Sequence, residues 1–455
     1  MKNILLIAYY YPPLGGAGVQ RTLKFAKYLH KFGYNVCVLT VDNSEGTIRD
    51  ESLKYESLDG IKVFRAKEGE RNFLVKAANK VINKKSAAVV GTKSSGTSSI
   101  GSANSIKNTI KKKIKNILLN LYRTMFIPDD KISWKKDAVR IGTEIIEKEE
   151  IDIVYSTSSP YTCHLIAYEL VKSSPIPWVC DFRDPWASNP FVDYPWFIKK
   201  INQAMERKVV KRADNVISVS QPIIDDFVSN YENEEVSKFK VITNGYDEED
   251  FEGYNKSMTV ENFVITYNGT LYGKRSPENF LEAVNRLITK NKIDKADIII
   301  KFVGEIGRDA QQDINSFTAK FGNIIKCIEY LPHKESLKQI ENSSALLLLI
   351  ESGKGSEGIF TGKIFEYIRS GKNIIGIVPN GVAKDLITET NTGFCCNPDK
   401  VEEIEEAIYK CYLIWKGDSE PLFVDEDKII NYNRENLSKN LASIMEYIWR
   451  KKRKS

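Results

Sequence analysis

The amino-acid sequence predicts an α/β protein with two doubly wound domains that face each other across a cleft. Its start reads strand, glycine-rich loop, helix and strand, which is a βαβ unit of a parallel sheet covered by helices. A second series of this kind begins near residue 263, after an acidic and aromatic stretch without periodicity. The chain has 455 residues, enough for two or three domains of about 150 residues each.

The first domain is predicted over residues 1–245. Ile4 to Tyr9 is its first strand, and the helix from Val19 to Phe32 has its apolar residues on one face. Gly33 ends that helix before the strand from Tyr34 to Val41. Further buried strands are predicted at 151–155, 177–181, 215–219 and 240–243.

Two segments interrupt this domain. Residues 86–105 form a Ser/Gly-rich insertion that we expect to be flexible, since it has too little apolar surface to bury. Residues 106–122 follow as a basic amphipathic helix with an apolar stripe flanked by lysines, a type that lies on anionic membrane surfaces. A surface helix packed on its own domain is the alternative.

The second domain is predicted over residues 263–430, after an interdomain linker at 246–262. Residues 431–455 are predicted as a C-terminal helix that ends in a basic tail, 450–454. The predicted strands of the second domain are 263–267, 296–303, 345–350 and 373–378.

The composition excludes several protein classes. Hydrophobic residues make up 42% and charged residues 28%, as in globular proteins, and the net charge of +6 is too small to indicate nucleic-acid binding. The seven cysteines form no C-x-x-C pair, which argues against zinc ribbons and for a reducing compartment. We find neither a cleavable leader nor the ~20 consecutive apolar residues of a membrane span, and expect a cytoplasmic protein.

The loop after the first strand is the first candidate site, because ligands of such sheets bind at the carboxyl ends of strands. Gly15, Gly16 and Gly18 let the backbone approach a ligand, and the helix start offers N–H groups to an anion. A dinucleotide fingerprint with Asp42 as the ribose acid fails, because its third glycine falls on Arg21. A merely tight turn is the structural alternative.

A second candidate site follows the strand at 177–181. Asp181, Arg183 and Asp184 lie at its end, where charges are costly unless they are used or paired. We expect Asp184 to face the cleft, and an internal Arg–Asp pair is the alternative or an addition.

Two more candidate loops lie in the second domain. Gly269 and Thr270 precede Lys274 and Arg275, cations suited to a diphosphate, or else merely solvated.

The last loop opens a helix at Thr361 and Gly362, followed by Lys363 and Glu366. That carboxylate can accept both hydroxyls of a ribose, and the helix start can hold phosphate. A capped helix with one i,i+3 charge pair is the alternative.

Five motifs together resemble bacterial family 4 glycosyltransferases of the GT-B fold, especially those of cell-surface polysaccharide assembly. The resemblance covers nearly the whole chain outside the Ser/Gly insertion, and implies two Rossmann-like domains and a retaining sugar transfer. The donor, a nucleoside diphosphate sugar, would lie in the C-terminal domain and the acceptor in the N-terminal domain. The motifs are Tyr11-Pro-Pro-Leu-Gly-Gly, Asp181-Phe-Arg-Asp-Pro-Trp, Val241-Ile-Thr-Asn-Gly-Tyr-Asp, Tyr267-Asn-Gly-Thr-Leu-Tyr and Gly362-Lys-Ile-Phe-Glu-Tyr.

The resemblance assigns donor-binding roles, with departures. Glu366 matches the second glutamate of the family's E-x7-E signature, which binds the donor ribose, whereas the first falls on Gly358 with Glu357 one residue away. The family's phosphate-binding Arg and Lys fall on Thr270 and Arg275.

Lys274 or Lys363 is expected to replace the cation missing at position 270. No D-x-D follows a strand, so we expect no metal, and no cofactor beyond the nucleotide sugar itself as co-substrate.

Asp184 and His164 are the candidate catalytic residues on the acceptor side. His164 begins the helix after the strand at 151–155, where contact with the donor sugar or the acceptor is weighed against a structural role. His30 and His333 have no catalytic context in the sequence.

The expected partners are a nucleotide sugar, a lipid-linked or glycan acceptor and the anionic inner face of the plasma membrane, but no nucleic acid. A GT-B sugar-nucleotide epimerase is the alternative enzyme, and a catalytically inactive GT-B partner subunit is the alternative from another class. A Rossmann-type oxidoreductase ranks last.

Overall fold

The protein's three-dimensional structure is a computed structural model. It describes residues 1–42, 49–50, 53, 60–69, 126–190, 192, 194–271 and 275–454. The predicted Ser/Gly insertion (86–105), the predicted basic helix (106–122) and Lys274 lie outside the described residues.

The N-terminal domain contains a seven-stranded parallel sheet in the order β3-β2-β1-β4-β5-β6-β7. Its strands are β1 (Lys2–Ile7), β2 (Tyr34–Asp42), β3 (Lys62–Lys67), β4 (Ile153–Ser158), β5 (Trp178–Phe182), β6 (Asn215–Ser218) and β7 (Phe239–Val241). Its helices are α1 (Ala17–Lys31), α2 (Lys135–Lys148), α3 (Thr162–Val171), α4 (Trp196–Arg212) and α5 (Gln221–Asn230), with short 3₁₀ turns at Ile132–Trp134 and Val236–Lys238.

The C-terminal domain contains a six-stranded parallel sheet in the order β10-β9-β8-β11-β12-β13. Its strands are β8 (Phe263–Asn268), β9 (Ile298–Val303), β10 (Ile325–Ile328), β11 (Ala345–Leu349), β12 (Asn373–Ile377) and β13 (Gly393–Cys396). Its helices are α6 (Glu278–Thr289), α7 (Arg308–Phe321), α8 (His333–Glu341), α9 (Lys363–Ser370), α10 (Val382–Thr390), α11 (Val401–Lys416) and α12 (Glu426–Ile429). The two sheets confirm the predicted pair of doubly wound domains.

The continuous apolar run Ala345–Ile350 shows why the central strands carry little polar sequence. Leu347 and Leu349 belong to the hydrophobic core on one side of the second sheet, whereas Leu346 and Leu348 belong to the core on the other side. A strand covered by helices on both faces has no position left for a polar residue.

The C-terminal helix α13 (Arg434–Lys454) crosses back to the first domain. Leu437, Leu441, Met445 and Ile448 of this helix join the core of the N-terminal domain. The residues predicted as a basic tail, 450–454, continue α13 as far as Lys454.

The predicted linker, 246–262, is packed rather than free. It contains a 3₁₀ turn at Glu248–Phe251, and Tyr246 and Phe251 are buried in the core of the second domain. The Tyr246 backbone N–H donates to Tyr432 O, and the Arg434 backbone N–H donates to Tyr246 O. The chain passes between the two domains near both segments, so these two crossings lie side by side. Within the described residues, no helix has the length and apolarity that crossing a membrane requires.

Candidate active site

The ends of β8, α8 and α9 meet at the carboxyl edge of the second sheet. The backbone N–H of Asn268, the last residue of β8, donates to Tyr367 Oη on α9 at 2.9 Å. The Asn268 side chain donates to Ser336 Oγ on α8 at 2.6 Å. These two hydrogen bonds fix both helix starts against the loop that follows β8.

Lys363, in the first turn of α9, lies against that loop. Its Nζ is 3.7 Å from the centre of the Tyr267 ring, and a Cβ built on Gly269 would lie 2.7 Å from the same atom. Gly269 has φ +135°, so it provides both a conformation that other residues avoid and the room for the ammonium group. Burial and the nearby Arg275 lower the pKa of Lys363 to about 7, although Glu366 opposes this. An anion placed here would therefore favour the protonated form of Lys363, which forms no ion pair with another residue that the structure describes.

Glu366 forms a hydrogen bond with His333. The sequence suggested no catalytic context for His333. His333 Nε2 lies 2.8 Å from Glu366 Oε1, and His333 Nδ1 lies 3.9 Å from Asp250 Oδ2 in the linker. Although burial by itself would lower it, Glu366 and Asp250 raise the pKa of His333 to about 9. The imidazole is therefore protonated at neutral pH. We call Lys363, Glu366, His333 and Arg275 the α9 cluster.

The α9 cluster is connected to the first domain through Asp250. Lys24 on α1 contacts Asp250 Oδ1 and Asp247 Oδ2, both at 2.8 Å, and its side chain is buried. Asp247 also accepts from Tyr28 Oη at 2.5 Å and from Lys27 at 3.0 Å. Burial alone would raise the pKa of Asp247, but these cations and the tyrosine hold it well below its usual range.

A cavity of about 210 Å³ opens at the same edge of the second sheet. It is lined by Arg275 and Asn279 beside α6, Ile350 and Ser352 after β11, and Asp399 after β13. This is smaller than the roughly 300–1,000 Å³ of pockets that enclose whole ligands, so the cavity can hold only part of a nucleotide sugar.

The remaining predicted donor residues surround the start of α9. Gly362 is exposed and no side chain caps the helix, and the Thr361 hydroxyl is buried without a hydrogen-bond partner in the described structure. The Thr270 carbonyl accepts from Tyr267 Oη at 3.1 Å.

Gly358, the position of the family's first glutamate, faces the other domain. Its carbonyl accepts from Ser220 Oγ at 3.1 Å, and a Cβ there would lie 3.5 Å from Pro222 Cβ. A longer side chain would point into this interdomain contact, and Glu357 beside it is exposed.

The predicted loop of the first domain is tied to the neighbouring strand ends by Arg183. The guanidinium donates to Gly18 O at 2.8 Å and to Ser159 O at 2.9 Å, and also to Ser158 O. Gly16 has φ +94° and immediately precedes α1, and Gly15 lies beside it in the turn.

Asp184 is exposed and accepts from Ser159 Oγ at 3.2 Å. The predicted internal Arg–Asp pair does exist, but with other residues. Asp181 is fully buried and pairs with Arg21 through two bonds of 2.8 and 2.9 Å. Arg21 and the hydroxyls of Tyr155 and Thr157 hold the pKa of Asp181 down, against the effect of burial, so Asp181 is a structural anion.

His164 does not reach the cleft, so the structure contradicts its predicted catalytic role. The ring is fully buried, with Nδ1 2.9 Å from Ser156 Oγ and 3.2 Å from Cys180 Sγ. Burial lowers its pKa to about 3, so it stays neutral. The residue is part of the core between α3 and the sheet, because the first turn of α3 is buried there.

Within the described residues, no group of three or more His, Cys, Asp or Glu side chains has the geometry of a metal site.

Arg434, at the start of α13, is a cation that the sequence did not single out. Burial and Arg21 lower its pKa, and Asp250, Asp247 and Glu366 oppose this, which places it near the α9 cluster.

Comparison with solved structures supports the fold. The crystal structure of a glycosyltransferase from Rickettsia africae ESF-5 is 16% identical, with 98% of each chain covered and a TM-score of 0.60. A mutant of S. aureus TarM in complex with fondaparinux, alpha-GlcNAc-glycerol and UDP is 10% identical, covering 98% of this chain and 100% of that one, with a TM-score of 0.54. The UDP-GlcNAc 2-epimerase from Methanocaldococcus jannaschii is 12% identical, with 98% and 99% covered and a TM-score of 0.52. At these identities the likeness shows the fold alone, which transferases and an epimerase share.

The sequence comparison concerns a smaller part of the chain. No curated protein matches the chain, but residues 108–250 match the family described as Glycosyltransferase Family 4. This match points to glycosyl transfer rather than epimerisation for the part of the chain that it covers. The chain combines the GT-B fold with this family match in its N-terminal domain, which confirms the predicted resemblance to family 4 glycosyltransferases.

Proposed function

We propose that the protein transfers a sugar, with retention of configuration, from a nucleoside diphosphate sugar to a lipid-linked or glycan acceptor in cell-surface glycan synthesis. The observation that carries this proposal is the α9 cluster, in which a carboxylate suited to ribose hydroxyls lies beside Lys363 and Arg275. Both the nucleoside and the diphosphate of one donor then have partners at one strand edge.

The site would bind the donor through its ribose and its diphosphate. Glu366, oriented by His333, accepts the ribose hydroxyls, while Lys363, Arg275 and the uncapped N–H groups at the start of α9 hold the diphosphate. Lys363 replaces the cation that the family has where this chain has Thr270. The unpartnered Thr361 hydroxyl is a further donor to a phosphate oxygen.

Cleavage of the glycosyl–phosphate bond leaves negative charge on the diphosphate. Fixed cations stabilise this charge as it develops, because they need no reorganisation during the reaction. We propose that these side chains suffice without a metal ion or other cofactor. Asp184, exposed at the edge of the first sheet, is the carboxylate that binds the acceptor hydroxyl.

We place the acceptor at the inner face of the plasma membrane. The predicted basic helix at 106–122 supports this from sequence, and Lys451 to Lys454 add an exposed basic end to α13. The protein would then be cytoplasmic and attached peripherally.

Donor binding tests the assignment of Glu366. Thermal shift is measured against UDP-, GDP-, TDP- and CMP-sugars, since a ligand in a hundredfold excess over its Kd adds roughly 2.7 kcal/mol of stability. Glu366→Ala should abolish the shift, whereas Glu335→Ala, an exposed glutamate on α8, should keep it. An unchanged shift and turnover in Glu366→Ala would refute the assignment. Conversion of the nucleotide sugar into its epimer without an acceptor would favour the epimerase, and donor binding without turnover the inactive subunit.

The role of Lys363 predicts a pH dependence. Since the pKa of the free Lys363 is about 7, an anionic diphosphate must recruit the protonated form, and affinity should fall above pH 7 by up to about tenfold per pH unit. Lys363→Arg keeps the charge at all these pH values and should make the fall in affinity clearly shallower. Titration calorimetry with the nucleoside diphosphate from pH 6.5 to 9 measures both. The same slope in wild type and variant would show that Lys363 does not hold the diphosphate.

A further inference from the structure

Helix α4 exposes three large apolar side chains on one face. Trp196 is 78% exposed, Phe197 38% and Ile201 39%. Trp196 and Phe197 contact each other edge to face, with ring centres 6.0 Å apart. Single exposed apolar residues are ordinary, but a group at one helix end marks an interaction surface.

The same face of α4 is basic. Lys200, Arg207, Lys208 and Lys211 are exposed, and none of them forms an ion pair with a residue that the structure describes. By helical spacing, these cations continue the line of the three apolar residues along the helix. We call the seven residues the α4 face.

No acidic group balances these cations within α4. Its one carboxylate, Glu206, is turned inward, where it accepts from the Ala187 N–H at 2.8 Å and from Tyr231 Oη at 2.7 Å. The α4 face therefore presents positive charge and apolar side chains together, and it fits an anionic, amphipathic partner.

The loop that precedes the apolar end of the α4 face lies at the rim of the interdomain cleft. The loop that leads from β5 into α4 carries Asp184, and Pro190 in this loop lies against Gly355 of the second domain. From this rim the 17 residues of α4 extend about 25 Å over the outside of the first domain.

We propose that the α4 face binds the surface of an anionic lipid bilayer, with Trp196, Phe197 and Ile201 among the headgroups and the four cations on lipid phosphates. Aromatic and aliphatic residues combined with unpaired cations are the composition of helices that lie in this interface. This inference rests on the proposed function only for its purpose, which is to present a lipid-linked acceptor to the cleft.

Co-sedimentation of the full chain with phosphatidylglycerol–phosphatidylcholine vesicles tests the role of the cations of the α4 face. The variant Lys200→Gln/Arg207→Gln/Lys208→Gln should bind about fivefold more weakly for each charge removed, since a cation at an anionic surface gains ~1 kcal/mol. The matched control removes three exposed lysines of the second domain. It is Lys295→Gln/Lys326→Gln/Lys334→Gln.

The variant Trp196→Ser/Ile201→Ser tests the apolar part. It should weaken vesicle binding by at least about tenfold, whereas Phe423→Ser, which removes a side chain that is 87% exposed in the second domain, should not. Quenching of tryptophan fluorescence by brominated lipid should fall in Trp196→Phe.

Three results would overturn the proposal: equal binding of wild type and both α4 variants, equal binding to pure phosphatidylcholine, or equal weakening by the control triple variant. Thermal shift with the nucleotide sugar is measured on the same α4 variants and should be unchanged. A wild type that binds vesicles but no nucleotide sugar supports the α4 proposal while refuting the proposed function, so the two failures are distinguishable.

Discussion

Replacing His333 by glutamine removes the cation that faces Glu366 while keeping a side chain that can hydrogen-bond. His333 is packed between Glu366 on α9 and Asp250 in the linker, and Lys24 from the first domain contacts the same Asp250. The side chains of His333 and Glu366 are only 18% and 23% exposed, so solvent screens the pair little. We therefore expect the loss to appear in the stability of the fold as well as in donor binding.

The size of the expected stability loss follows from the pKa of His333, which rises from 6.5 to about 9 in the folded protein. At 1.36 kcal/mol per pH unit this difference corresponds to about 3 kcal/mol of stability. Because the folded-state pKa is the higher one, the contribution is fully present below pH 6.5. It falls between pH 6.5 and 9 and is lost above about pH 9.

Urea unfolding of the wild type and His333→Gln at pH 6, 7, 8 and 9.5 measures this contribution. The difference in unfolding free energy should shrink by about 3 kcal/mol across the series. His30→Gln is the matched control, because His30 forms no ion pair with any described residue and contacts the Tyr34 carbonyl instead. A difference that stays constant with pH would refute the ion pair between His333 and Glu366.

Three further substitutions test the site and the structure around it. Asp181→Asn leaves Arg21 buried without its anion and should cost about 3–5 kcal/mol, measured by urea unfolding. Asp184→Asn should change stability by less than about 0.5 kcal/mol while lowering turnover; a comparable cost for both would contradict the buried pair. Gly245→Ala would put a Cβ 2.1 Å from Tyr432 O at the paired chain crossings, and we expect a loss of about 1–3 kcal/mol. Unchanged thermal unfolding of Gly245→Ala would show that the crossings are not packed this closely.

The strands that sequence patterns missed lie at the edges of the sheets, although one edge strand, β7, was predicted. The central strands β1, β4, β8 and β11 were predicted, because helices cover both of their faces and leave long apolar runs. The missed strands β3, β10 and β13 are edges of the two described sheets. Lys62–Lys67 places three exposed charged residues among three apolar ones, so it has no continuous apolar run, since an edge strand has a neighbour on one side only.

The residues of the candidate site also fall into two groups, those that local patterns predicted and those that depend on distant parts of the chain. Glu366, Lys363 and Gly269 were predicted because a strand, a glycine loop and a helix start are local patterns. His333 was missed because its partners, Asp250 and Glu366, are 83 and 33 residues away along the chain. Conversely, His164 has the local context of a site residue, and only the packing of α3 shows that its ring is enclosed.

The sequence by itself determined the two βα series, their parallel sheets, the loops at strand ends and the resemblance to family 4 glycosyltransferases. These depend on the spacing of apolar residues, glycines and charges within short segments, where neighbours in the chain are neighbours in space. Only the tertiary structure decided which charges meet: Arg21 with Asp181, His333 with Glu366, and the cations of the α4 face with none among the described residues. Charge pairing acts over a few ångströms between segments distant in sequence, so the fold must bring the partners together before their chemistry can be known.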